Sequence, residues 1–160
     1  MLRALRRGVV GAAVFAAGVA AVAAAAPARD PDPLPVESKW KGKLSQKGKI
    51  KGEEVPLDLD AVLTVTKRDG EKFEAELFEE GEPGIRLTYL VKGEVKKAKD
   101  GKGYAVEFKS YDFKDARSET FLNIPYKGTI EGKKLAGTWK HPPTDDDTTI
   151  EGEFTLELAK

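Results

Sequence analysis

The chain has 160 residues, 27 basic against 27 acidic, a single histidine and no cysteine. That length suits one domain. The composition excludes a disulfide framework and a thiolate metal centre, and it gives no basic field of the kind a nucleic-acid partner needs.

The N-terminus reads as an export signal. Arg3, Arg6 and Arg7 precede an apolar run from Gly8 to Ala26, and Ala26-Pro27-Ala28 forms a small-residue cleavage site. Cleavage after Ala28 is expected, with an uncleaved membrane anchor as the alternative. Losing residues 1–28 leaves 24 basic against 27 acidic residues, a net charge of −3, and no membrane span. The protein is therefore expected outside the cytoplasm, periplasmic or extracellular, with no nucleic-acid partner. Residues 29–36 hold Pro31, Pro33 and Pro35 in alternation and read as an extended, mobile linker. The folded domain is placed at residues 37–160.

From there the period is that of strands. The first, about Ser38 to Gln46, puts Trp40, Gly42 and Leu44 on one face. A charged loop over residues 47–54 follows, with room for a short strand around Ile50. The second strand, about Leu57 to Lys67, alternates over Leu57, Leu59, Ala61, Leu63 and Val65. Arg68-Asp69-Gly70 then reads as a three-residue loop, which sets Val65 opposite Phe73 and Leu63 opposite Ala75. The third strand covers about Glu71 to Phe78, and Glu79 to Pro83 is read as a turn. The fourth, about Gly84 to Lys96, turns Ile85, Leu87, Tyr89, Val91, Gly93 and Val95 inward. Leu77 then faces Ile85, and Phe73 faces Tyr89. Asp100-Gly101 leads into the fifth, about Gly103 to Lys109, with Val95 opposite Val106, Gly93 opposite Phe108 and Lys99 opposite Lys102. Residues 110–119 follow neither period and could form a lid. The sixth strand, about Thr120 to Glu131, carries Pro125 on its outer face, where a bulge or an edge is expected.

The clearest stretch runs from Tyr126 to Lys140. A two-residue turn at Gly132-Lys133 sets Glu131 against Lys134, Ile130 against Leu135, Gly128 against Gly137 and Tyr126 against Trp139. One face is then wholly apolar or glycine. Glycine at the first turn position fits a type II′ hairpin. The eighth strand, about Thr148 to Leu158, turns Ile150, Gly152, Phe154, Leu156 and Leu158 inward.

Eight short strands in hairpin succession predict an all-β fold, an eight-stranded antiparallel up-and-down barrel, with a two-sheet β-sandwich as the alternative. Gly42, Gly93, Gly128, Gly137 and Gly152 all fall on the inward face. A small closed sheet needs such positions where it coils sharply. Trp40-Lys41-Gly42 near the start and Gly137-Thr138-Trp139-Lys140 near the end complete the pattern. In this layout the domain resembles the calycins, the lipocalin and avidin group, and uncharacterised secreted bacterial proteins of that type. The resemblance implies a barrel with an interior ligand. It transfers no ligand-binding residue, because Gly-x-Trp stands here on the seventh strand and not on the first.

No catalytic motif is present: the chain has no Gly-x-Ser-x-Gly, no cysteine nucleophile and no phosphate-cradling loop. Asp58 and Asp60 share an outward face and lack the dry cleft that paired carboxylates need. His141 reads as an exposed loop residue, and Asp145-Asp146-Asp147 as a solvated acidic turn. No metal and no cofactor are expected, and the chain is read as non-enzymatic. Trp40, Tyr89, Tyr104, Tyr126 and Trp139 are the inward residues with an apolar body and a polar tip. They are the candidate ligand-binding set for a small apolar molecule. The competing reading is that they fill the core of a protein-interaction or envelope-structural domain.

Overall fold

A computed structural model describes residues 31–82, 84–114, 122–144 and 147–160. The export signal, the acidic pair 145–146 and residues 115–119 of the lid candidate lie outside the described residues. The strands are β1 (Lys39–Ile50), β2 (Glu53–Glu54), β3 (Leu57–Asp69), β4 (Lys72–Gly81), β5 (Ile85–Lys97), β6 (Tyr104–Phe113), β7 (Pro125–Glu131), β8 (Lys134–Lys140) and β9 (Thr149–Leu158). Each of β3 to β9 pairs antiparallel with its chain neighbour, and β1 pairs with both β3 and β9. Eight strands thus close an up-and-down barrel. β2 lies outside the ring, paired with the end of β1 across a turn at Lys51-Gly52. This architecture is consistent with a calycin-like fold, and the sandwich alternative falls away.

Alternation decides what faces in. Leu59, Ala61, Leu63 and Val65 of β3 are buried, as are Phe73, Ala75 and Leu77 of β4. The outward positions carry Lys, Glu, Asp and Thr in cross-strand pairs such as Lys43–Asp60 and Lys127–Glu107. A barrel that crosses lipid has the inverse polarity. The five inward glycines stand where a neighbouring strand leaves no room. A Cβ on Gly42 would run into the carbonyl oxygen of Thr155, and one on Gly152 into that of Ser45.

The β7–β8 hairpin has the expected register throughout, with Gly132 at φ 60°. Val95 faces Val106 and Gly93 faces Phe108, also as expected. The β5–β6 ladder stops at Lys97 and Tyr104, so Lys99 and Lys102 are not a ladder pair. Asp100 accepts from the Lys102 N–H at 2.9 Å and turns the chain there.

The β3–β4 register differs. Asp69 faces Lys72 across a two-residue turn, and a bulge at Thr66 brings Val65 opposite Ala75 and Leu63 opposite Leu77. Arg68 stays in the strand because its guanidinium donates to the carbonyls of Glu71 and Lys72, at 3.1 and 3.3 Å. β4 then runs on to Gly81, so Leu77 faces Tyr89 and Phe73 faces Gly93. β6 extends to Phe113 through a bulge at Tyr111. β7 begins only at Pro125, which sits at the strand's first position, where a missing donor costs least.

Residues 31–36 of the proline-rich stretch form no ladder, yet they are anchored. Leu34 is fully buried at the barrel end where β1 begins and β3 finishes. Asp32 accepts from the Leu34 N–H at 3.0 Å and from the Arg68 guanidinium at 3.2 Å. Glu37 donates its N–H to the Val65 carbonyl at 2.8 Å. Burial of Leu34 and these hydrogen bonds together offset the freedom the segment loses, part of which its prolines restrict in advance.

Candidate functional site

The five candidate residues separate along the barrel axis. Trp40 and Tyr104 open β1 and β6, at the end that Leu34 caps. Trp40 is fully buried and its indole N–H donates to the Ser38 hydroxyl at 3.2 Å, whereas Tyr104 is half-buried. Tyr89, Tyr126 and Trp139 meet at the opposite end, near the start of β5, the start of β7 and the finish of β8. There they line a small chamber with Leu44, Gln46, Ile124, Ile150 and Glu79.

Glu79 was not among the candidates. Its place in Glu79-Glu80-Gly81-Glu82-Pro83 reads as a turn, but it continues the inward series Phe73, Ala75, Leu77 on β4. It is 5% exposed and faces Ala61 across the ladder. The alternation was the available signal, and ending the strand at Phe78 hid it. Ser110 and His141 were missed for the same reason. Ser110 is fully buried after Val106 and Phe108, and its hydroxyl accepts from the Ile124 N–H at 3.0 Å. His141 is 8% exposed, not an exposed loop residue, because it follows Leu135 and Trp139 on the inner face. Its main-chain N–H extends the β8–β9 pairing to Ile150.

The Tyr126 hydroxyl donates to Glu79 Oε1 at 3.4 Å. Burial pushes the Glu79 carboxyl from the ordinary 4.5 up to about 7, and the Tyr126 hydrogen bond pulls weakly the other way. Burial, then the nearby Glu79 charge, holds the phenols of Tyr89 and Tyr126 well above the usual range. No Lys, Arg or His is among the described residues that line the chamber. Gln46 spends its amide N–H on the Val55 carbonyl at 3.2 Å. The indole N–H of Trp139 is also committed, to the Ser45 carbonyl at 3.0 Å.

The enclosed space is about 30 Å³, roughly one water molecule's share of the liquid. Beyond it the interior is filled by rings. Phe108 stacks on Tyr126 at 4.7 Å between centroids, and Phe154 meets both edge-on at 6.0 Å. Phe73 closes on Phe108 at 6.0 Å. Larger hollows are open grooves on the rim and outer wall, such as that between Asp58, Asp60, Glu80 and Arg86. Asp60 is paired there with Lys43 in water, so the outward aspartates do not form a dry acid–base pair. Among the described residues no cluster of His, Cys, Asp and Glu is arranged to hold a metal ion. The chain matches no known protein family and no curated protein at a significant level, so the calycin likeness rests on architecture alone.

Proposed function

We propose that this chain is an exported, non-enzymatic β-barrel domain with a filled core, serving as a protein-interaction or envelope-structural module of calycin-like type. One observation carries the reading: about 30 Å³ of enclosed space at the site, where pockets for drug-sized ligands usually offer ~300–1,000 Å³. The stacked rings of Phe108, Tyr126 and Phe154 occupy the volume that an interior apolar ligand would need.

The test is a panel of fatty acids, sterols and aromatic metabolites, read by the fluorescence of Trp40 and Trp139. No saturable change is expected up to solubility, while affinity capture from the envelope fraction recovers a partner. A member of the panel that binds one-to-one at micromolar concentration would restore the ligand-carrier reading.

A further inference from the structure

The geometry points to a second property, compatible with a filled barrel: the Glu79 chamber is a binding site for the ammonium head of a small primary amine. Three observations converge. A carboxyl is buried at the chamber wall and meets one neutral donor, the Tyr126 hydroxyl at 3.4 Å. The rest of the lining offers Tyr89, Tyr126 and Trp139, whose rings attract cations, and aliphatic side chains. The space of about 30 Å³ is that of a water-sized group. An ammonium ion fits it, and a quaternary head does not.

The same lining argues against a hard metal ion. Calcium and magnesium want six or more oxygen ligands, whereas this chamber offers one carboxylate, two phenols and one amide. An ammonium head needs less. It donates to the carboxylate and packs its remaining charge against the rings. Glu79 lies two residues before the last residue of β4, close under the rim.

The site competes with protons. Among the described residues its titratable neighbours are Tyr126 from β7 and Tyr89 from β5, both neutral through the physiological range. Only Glu79 changes charge there, and only its ionised form attracts the cation. Affinity should therefore fall about tenfold for each pH unit below about 7.

The experiment is a titration of the ¹⁵N-labelled domain at pH 8 with ammonium, methylammonium and tetramethylammonium chlorides, with sodium chloride as the ionic-strength control. The Trp139 indole and the Glu79 and Tyr126 amides are followed. Ammonium and methylammonium should give saturable shifts beyond the salt control, tetramethylammonium none, and Glu79→Gln should abolish them. If Glu79→Gln does not fold, Tyr126→Phe takes its place. Losing its donor raises the Glu79 pKa further, so binding weakens and its loss on acidification begins at a higher pH. Shifts no larger than the salt control in the wild-type domain overturn the proposal. So do equal binding of tetramethylammonium, or undiminished binding by either variant.

Discussion

The indole N–H of Trp139 donates to the main-chain carbonyl of Ser45 at 3.0 Å, and this bond crosses the junction at which β1 and β9 close the ring. Around it the paired residues run from Trp40↔Leu158 to Leu44↔Phe154 and resume at Lys47↔Glu151. The Ser45 hydroxyl fills the interruption by accepting from the Glu153 N–H at 3.2 Å. Side chains thus complete the ring where main-chain pairing lapses.

Trp139→Phe keeps most of the ring volume and deletes the donor. It should destabilise the domain by about 1–3 kcal/mol, the cost of leaving a partly buried carbonyl without its partner. Gly152→Ala should cost more, about 3 kcal/mol or above, because its Cβ meets the Ser45 carbonyl and the Trp139 indole at once. Urea unfolding of the two variants beside Gly132→Ala, at the open β7–β8 turn, checks the order. The turn variant carries only backbone strain and should be the mildest.

Glu79 makes stability depend on pH. Its carboxyl titrates near 7 when folded and near 4.5 when unfolded. Below 4.5 both states hold the proton and the group is neutral to folding. As pH rises from 4.5 to about 7 the unfolded state ionises first, so stability falls. The loss levels off above 7, at about 3 kcal/mol. Glu79→Gln should remove this decline and be the more stable form at pH 8. Melting temperatures of both proteins from pH 4 to 9 decide it, and parallel curves would contradict the assignment.

At the opposite end, Leu34→Ala should cost about 2–5 kcal/mol, as for a fully buried leucine. Asp32→Ala should cost about 1 kcal/mol, because its ion pair with Arg68 is partly solvated. Denaturant unfolding of the two separates burial from charge as the anchor of this segment.

Ser110→Ala removes the hydroxyl that accepts from the Ile124 N–H. A cost of about 1–2 kcal/mol is expected. Faster amide exchange at Ile124 should accompany it, with exchange at Val106 unchanged.

Much of the barrel was legible because alternation assigns faces without reference to partners. The β7–β8 hairpin could be read to the residue, since apolar alternation on both arms agrees with one turn only. The β3–β4 pairing slipped by two because Gly70 suits either a two- or a three-residue loop, and the bulge at Thr66 leaves no mark in a period of two. An even slip preserves faces, so the core residues came out right while their partners did not. Alternation is also silent about height along the axis. That is why Trp40 and Tyr104 were grouped with Tyr89, Tyr126 and Trp139 although they stand at the other end. Glu79 escaped because a glutamate in an acidic, glycine-containing run resembles a turn, and only its spacing from Leu77 says otherwise.

The strands that seal the ring, β1 and β9, stand at opposite ends of the domain sequence, and this bears on how the chain folds. Consecutive hairpins can form early from local contacts, but the last joint requires residues 100 to 118 positions apart to meet. Until then the sheet is an open ribbon with two raw edges. Lys39, Lys41, Lys43, Lys47 and Lys49 line one of them and Glu151, Glu153 and Glu157 the other, so the two edges of one ribbon attract each other while like edges of different ribbons repel.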